Sequence, residues 1–370
     1  MRIIFGIFLL IYSAMHYYVY SRVAGGLDMS PVARSWLKNC LIAAALSFVL
    51  AETICRNTAS LWFKPVYYFG VCWFGALAVA VVVFLTAHII GMALRSDFCR
   101  YWLTICAIAA IFIISAYSII NVARGPVIKS MTIKYKKLPA ELSGLSIVQL
   151  SDLHLNLMKS EKWLNDIVDT ANSQNPDIIV FTGDLMDTDL SETKRFYSGL
   201  KRLKAKNGVF AVSGNHDFYA GLEGFQRVAS DTGMTVLRNK KTTAISGLMD
   251  ICGIDDNAGG EIRKGKAGLL SKLDLPAGLD KDKFTVLLSH RPDVFIEAVK
   301  SGIDLQLSGH THAGQIPPMD LIIQFYYKYP YGLYRDGGSF LYTTCGTDIW
   351  GPPMRLFSRS EIVKIVLEKE

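Results

Sequence analysis

The sequence is short of charge and of thiols. Only 19% of its 370 residues are Asp, Glu, Lys or Arg and 51% are hydrophobic, too apolar a balance for an ordinary soluble enzyme of this length. Of seven cysteines, Cys40, Cys55, Cys72, Cys99 and Cys106 fall in or beside long apolar runs, leaving Cys252 and Cys345 for the rest of the chain. A disulfide framework is thereby excluded. A strongly basic face is missing too. Residues 1 to 123 hold eight Lys or Arg against three acids, so five of the seven net positive charges lie there and two are left for residues 124 to 370. Nucleic-acid recognition normally needs such a face. The short runs Lys134 to Lys137, Lys201 to Lys206 and Arg263 to Lys266 read as solvated surface, so no nucleic-acid partner is expected.

The apolar excess is concentrated at the front. Ile3 to Tyr20, Leu37 to Cys55, Val66 to Leu94 and Tyr101 to Val122 are nearly free of charge, each near or above the roughly 18 to 20 residues that cross a bilayer as a helix. Four transmembrane spans are predicted within 1–123, with membrane lipids as their partners. The first run exceeds the about 7 to 15 apolar residues of a signal peptide and no small-residue cleavage site follows it, so it reads as retained. With four spans both termini share a side. Arg2, Arg56, Lys64, Arg124, Lys129, Lys134, Lys136 and Lys137 would lie there against Arg22, Arg34, Lys38, Arg95 and Arg100. The bias favours a multi-pass protein with a cytoplasmic catalytic domain. His16 and His88 lie within predicted spans and read as packing or interfacial residues.

After Val122 the pattern changes to short strands and amphipathic helices. Ile147 to Leu150, Ile178 to Phe181, Val209 to Val212, Val286 to Leu288 and Leu305 to Leu307 read as buried strands. Ser160 to Ser173, with Ser160 as N-cap, Leu190 to Lys204 and Pro292 to Lys300 read as helices. Each strand is followed by a polar cluster: Asp152-Leu153-His154, Gly183-Asp184, Gly214-Asn215-His216-Asp217, His290, and Gly309-His310-Thr311-His312. The first three clusters repeat at about the 30-residue spacing of a βαβ unit. In α/β sheets the loops beyond the carboxyl ends of the strands converge, so ligands far apart in sequence would meet in one crevice. Carboxylates, an amide and imidazoles without cysteine suit Mn, Fe, Zn or Mg.

In this order, D-x-H, G-D, G-N-H-D, H and G-H-x-H, the residues resemble the calcineurin-like metallophosphoesterase superfamily. Tyr331 to Tyr334, Cys345-Gly346 and Arg355 ahead of a final Glu361-Ile362 strand resemble its membrane-associated branch of predicted phosphohydrolases, the likeness covering roughly residues 127 to 368. The resemblance implies an α/β fold, a layered α/β/β/α sandwich over residues 124 to 370 behind the membrane region. It also implies two divalent metal ions, with manganese favoured. Asp152, His154 and His312 would hold one and Asn215, His290 and His310 the other, with Asp184 shared. A metal-bridging hydroxide would cleave a phosphoester or pyrophosphate bond. His216 would act near the leaving group, with Asp217 orienting its ring.

Ile316 to Tyr331 is dense in apolar and aromatic residues with one lysine, which suits a membrane interface. It is expected to form a lip that meets lipid or an acyl chain. The substrate is therefore expected to carry phosphate and to be lipid-linked, UDP-diacylglucosamine being one concrete form. The alternatives are a nuclease or nucleotide phosphodiesterase of the same superfamily and a non-catalytic membrane receptor or scaffold. No protein partner is indicated.

Overall fold

The computed structural model describes residues 2–54, 61–94, 96–187, 190–258, 279–280 and 282–370. The basic run Arg263 to Lys266 and residues Cys55, Arg56 and Arg95 lie outside the described residues. The chain divides into two compact units. One comprises Met1–Arg124, Gly314–Ile322 and Gly351–Phe357; the other comprises Gly125–Ala313, Ile323–Trp350 and Ser358–Glu370.

The first unit contains the helices α1 (Arg2–Gly26), α2 (Pro31–Thr53), α3 (Lys64–Leu94) and α4 (Asp97–Ala123). Ser30 and Ser96 cap α2 and α4, their hydroxyls accepting from the amides of Ala33 and Cys99, which satisfies donors that a helix start leaves free. Among the described residues three helices, α2, α3 and α4, are long and apolar enough to cross a membrane. This corrects the expected four. α1 is helical for 25 residues, but its aliphatic residues crowd the first half, while His16, Tyr17, Tyr18, Tyr20, Ser21 and Arg22 fill the second. His16 is satisfied by packing, its Nδ1 2.9 Å from the Tyr12 carbonyl and its Nε2 accepting from Trp73 Nε1 at 3.0 Å. The outer faces stay apolar, with Leu46, Phe69, Ile89, Phe112 and Ile113 exposed.

Two loops from far down the chain complete this unit. Ile316 and Met354 are buried against Ala78 and Val79 of α3. A Cβ at Gly75 would collide with Met354, so glycine is what lets the second loop seat there. The Arg355 amide donates to the Ser118 carbonyl at 3.1 Å, and Asn121 Nδ2 donates to the Arg355 carbonyl at 2.9 Å.

The second unit is built on two six-stranded sheets. One holds β1 (Val127–Tyr135), β2 (Ser146–Leu150), β3 (Ile178–Thr182), β4 (Val209–Val212), β5 (Thr235–Val236) and β12 (Glu361–Lys369), in the order β1-β12-β2-β3-β4-β5. The other holds β6 (Lys240–Ala244), β7 (Met249–Gly253), β8 (Phe284–Leu288), β9 (Leu305–Ser308), β10 (Gly332–Asp336) and β11 (Ser339–Thr343), in the order β10-β11-β9-β8-β7-β6. The helices are α5 (Glu161–Asn172), α6 (Asn215–Ala220), α7 (Leu222–Asp231), α8 (Phe295–Lys300) and α9 (Met319–Tyr326), the last reaching back into the first unit.

Three apolar layers hold the sheets together. Ile147, Val180 and Val212 meet Ile251, Val286 and Leu307 between them. Outside the first sheet, Leu164, Ile167, Phe225 and Val228 of α5 and α7 cover Val148, Ile179 and Phe181. Outside the second, Ala298 of α8 joins Cys252 and Leu287. This is the expected layered α/β/β/α sandwich. In α5 the buried residues Leu164, Ile167, Val168 and Ala171 follow the helical period, and Ser160 Oγ accepts from the Trp163 amide at 3.1 Å. The helix expected over Leu190 to Lys204 is instead two single turns around a 3-10 segment, ending at Leu200. There the amides of Arg202 and Leu203 turn back to the carbonyls of Gly199 and Leu200, tightening the chain and stopping the helix.

Candidate metal centre

Three neighbouring parallel strands of the first sheet, β2, β3 and β4, deliver Asp152, Asp184 and Asn215 just past their carboxyl ends. β8 and β9, adjacent and parallel in the second sheet, deliver His290 and then His310 and His312. The expected convergence therefore draws on both sheets. The backbone is bent to aim these side chains: Asp152, His154, Asp184, His310 and His312 have φ of 56°, 47°, 52°, 73° and 51°, in the left-handed region that non-glycine residues rarely occupy. A Cβ at Gly214 would collide with the Asp184 carboxylate, and one at Gly309 with Ser151 and Asp152. Those two glycines keep the loops close enough to share atoms.

The side chains gather in overlapping groups. His154 Nε2 lies 3.2 Å from His312 Nε2, which lies 3.4 Å from Asp152 Oδ1. His290 Nε2 is 3.2 Å from both Asn215 Oδ1 and Asp184 Oδ2, and His310 Nδ1 is 3.1 Å from His290 Nε2. Asp184 Oδ2 is also 3.8 Å from His154 Nε2, so this one carboxylate faces both groups. Asp152 with His154 and His312, and Asp184 with His290 and His310, could each hold a metal ion; Asn215 adds an amide oxygen to the second set.

Three of the imidazoles are anchored through their outward nitrogen. His290 Nδ1 lies 2.8 Å from the Thr182 carbonyl, His154 Nδ1 2.8 Å from Asp187 Oδ1, and His310 Nε2 2.8 Å from the Tyr327 hydroxyl. A carbonyl or carboxylate can only accept, so His290 and His154 carry their protons on Nδ1 and present Nε2 inward. Burial pushes the Tyr327 hydroxyl up to about 12, keeping it a neutral partner.

Electrostatics match a site built for cations. Burial works against charge on every member, and it raises the Asp152 carboxyl. Asp184 is nevertheless held below the ordinary carboxylate range by His290 and His154. Burial likewise opposes charge on the histidines, yet Asp187 and Asp184 hold His154 up to about 9, and Asp184 and Asp152 hold His290 up to about 10. His310 goes the other way, pushed well below its ordinary value by burial and by its neighbour His290. Protons on imidazole thus balance buried carboxylates. Divalent cations would displace those protons and balance the same charge, and the all oxygen and imidazole donor set fits them.

His216 sits 4.8 Å ring to ring from His154, with its amide donating to Asp184 Oδ1 at 2.8 Å. Its Nδ1 is 2.8 Å from Asp187 Oδ1. Asp217 does not orient this ring, contrary to the sequence expectation. Its carboxylate accepts from the amides of Gly214, Met186 and Leu185 at 2.8, 3.0 and 3.3 Å, so its job is to tie two strand-end loops together. Burial and then the Asp184 charge raise it to about 7.

Two functional residues escape sequence reasoning. Asp187 is one, a single oxygen serving both His154 and His216; its only signal is its place three residues beyond Asp184. Tyr327 is the other, hidden in an aromatic stretch whose composition suggests lipid contact. That stretch is split: Tyr327 and Tyr329 are buried, while Leu321, Phe325 and Tyr326 are exposed, Phe325 by 92%. At the mouth, exposed Tyr219 and Trp350 flank His216 at 5.6 and 5.9 Å.

The chain is similar to known proteins. Residues 145–314 match the family described as calcineurin-like phosphoesterase. The chain is 33% identical over 275 residues to a Danio rerio transmembrane protein with metallophosphoesterase domain, across 72% of this chain and 63% of that protein; it thus spans less than two thirds of that relative. It is 34% identical over 263 residues to an uncharacterized metallophosphoesterase of Campylobacter jejuni, across 70% of this chain and 68% of that protein. A dimetal phosphatase from Danio rerio superposes with a TM-score of 0.38 at 13% identity, covering 62% of this chain and 94% of that one.

Proposed function

The chain belongs to the calcineurin-like phosphoesterases, hydrolases acting on phosphoester bonds, and from that premise we propose a membrane-anchored, two-metal phosphohydrolase whose substrate is lipid-linked. The observation that carries the hydrolytic reading is the pair of ligand groups meeting at Asp184, with His216 beside them. Asp152, His154 and His312 would hold one divalent cation and Asn215, His290 and His310 the other, with Asp184 facing both groups. Bound there, such cations would supply charge neutralisation for phosphoryl oxygens and an activated water near neutral pH. Manganese is the metal to try first.

The chain's own residues divide the remaining work. His290 and His154, fixed through Nδ1, keep Nε2 aimed inward. Asp187 holds the Nδ1 proton of His216, leaving Nε2 to give a proton to the departing oxygen. Asp217 keeps the Asp184 and Asn215 loops in register. Tyr219 and Trp350 offer apolar surface to whatever the leaving group carries.

Two features support the lipid-linked substrate. The chain runs from the last ligand loop straight into a segment, Gly314–Ile322, that folds with the hydrophobic helices. α9 then exposes Leu321, Ile322 and Phe325. The positive-inside bias supports a cytoplasmic catalytic unit: Arg56, Lys64, Arg124, Lys129, Lys134, Lys136 and Lys137 would stand on its side of three spans, and Arg2, Arg22, Arg34, Lys38, Arg95 and Arg100 on the other. The deciding experiment purifies the full chain in detergent with Mn2+ and compares hydrolysis of soluble phosphoesters with that of extracted membrane lipids and a UDP-diacylglucosamine probe. Replacing Ile322, Ile323 and Phe325 by serine should impair lipid turnover more than turnover of a small ester. Equal losses on both would reject the lipid reading while leaving the hydrolase intact.

A further inference from the structure

A cavity of about 430 Å³ lies wholly within the helical unit, between the C-terminal ends of α1 and α3 and the N-terminal turns of α4. Its α4 wall runs from Asp97 to Thr104, whereas the chain leaves for the catalytic unit after Ala123. Nineteen helical steps separate Thr104 from Ala123, roughly 29 Å at 1.5 Å each, about the hydrocarbon thickness of a bilayer. With α3 and α4 read as membrane spans, a premise on which the site depends, the cavity lies at the end of α4 away from Ala123, where the chain leaves for β1.

Its lining is two-sided. Phe84, Met92 and Leu103 form an apolar wall, and Arg22, His88 and Arg100 bring basic groups. Arg100 already has an acid, Asp97, at 2.6 Å. Arg22 has none among the described residues. Its guanidinium lies 5.6 Å from the centre of the Tyr18 ring, and its Nε is sealed from solvent without a hydrogen-bond partner among the described residues. A guanidinium keeps its charge and has only donors. An anion in the cavity would suit it, and the apolar wall beside it suits a hydrocarbon chain.

We propose that this cavity binds the phosphate headgroup and first acyl carbons of an anionic phospholipid, in the leaflet at the N-terminal end of α4. The test uses the full chain, delipidated in detergent, with thermal melting followed on adding phosphatidylglycerol, phosphatidylcholine or inorganic phosphate. Phosphatidylglycerol should raise Tm by several degrees, phosphatidylcholine by much less, and phosphate not at all. Arg22→Gln should erase the preference. So should Gly91→Leu, which crowds the apolar wall but leaves Arg22 in place; a Cβ there has ordinary room, 3.6 Å from Leu103. Equal shifts with both lipids, a shift with inorganic phosphate alone, or a preference kept by folded Gly91→Leu each overturn the site. Alkaline carbonate extraction of the native membrane separates the two readings. A chain released by carbonate overturns the membrane premise and this site together, while an integral chain without the preference overturns this site only.

Discussion

Asp187→Asn is the substitution that tests most of the site at once. One carboxylate oxygen accepts from His154 Nδ1 and from His216 Nδ1, each at 2.8 Å, so neutralising it weakens a proposed cation ligand and a proposed proton donor together. A hydrogen bond to a charged group contributes about 1.5 to 3 kcal/mol. The His216 side chain is 17% exposed, and water softens its loss to the low end, about 1.5 kcal/mol or roughly tenfold in kcat. His154 is 1% exposed. Its loss belongs near the upper end, up to roughly 100-fold in cation affinity, the range found for partners behind metal-bound histidines. Hydrolysis of p-nitrophenyl phosphate esters by the detergent-purified chain across a Mn2+ titration separates the two effects. The activation midpoint should rise, and kcat at saturating Mn2+ should still fall about tenfold. In a His216→Ala background the same change should shift the midpoint and leave kcat alone. A midpoint and kcat both within twofold of the parent would refute the reasoning, and a shifted midpoint with unchanged kcat would remove the role given to His216.

Three further outcomes are expected. Tyr327→Phe deletes the hydroxyl that engages His310 Nε2 at 2.8 Å, and Mn2+ dependence should shift about tenfold with the melting temperature little changed; an unchanged titration would show that the ring needs no such anchor. Gly214→Ala places a Cβ into the Asp184 carboxylate, so metal analysis of the purified variant should find less than half the parent's bound Mn2+, and full loading would contradict the packing described. Burial works against the Asp177 carboxylate, but Lys206 and Ser146 hold it below its ordinary value. A depressed carboxylate stabilises above its unfolded pKa of about 4 and stops doing so as pH falls through the folded one; Asp177→Asn should therefore cost on the order of 1 kcal/mol at pH 7 and progressively less as the pH falls below about 4, read from a series of melting curves.

The legible parts of the fold are those where burial and chemistry coincide along the chain. β2, β3 and β8 are buried at every residue, so each reads as an apolar run, and the polar residue that follows is the one aimed at the site. β6 is invisible in the sequence because it is an edge strand of half-exposed Lys240 to Ala244, where a polar sequence protects the sheet rather than filling a core. Asp187 is invisible for another reason. Its meaning lies in two contacts across 33 and 29 positions of sequence, which no local period encodes. The aromatic stretch after His312 stands out by composition, but composition does not say that Tyr327 turns inward to a histidine while Phe325 turns out. α1 misleads by averaging, since its first turns are aliphatic and its last turns are tyrosine, histidine and arginine.

The seating of Ile316, Met354 and Arg355 among the hydrophobic helices sets an order of events during synthesis. The chain passes between the two units five times, and its last stretch in the helical unit is Gly351–Phe357. Helices made early must wait, with the cleft beside Gly75 unfilled, until the chain has been made as far as Phe357. Domains generally fold as units, the N-terminal one first; here the helical unit is completed only after every strand but β12 has been made. A chain stopped anywhere before Gly351 would leave that cleft open, its helical unit unfinished even where the strands before it had paired.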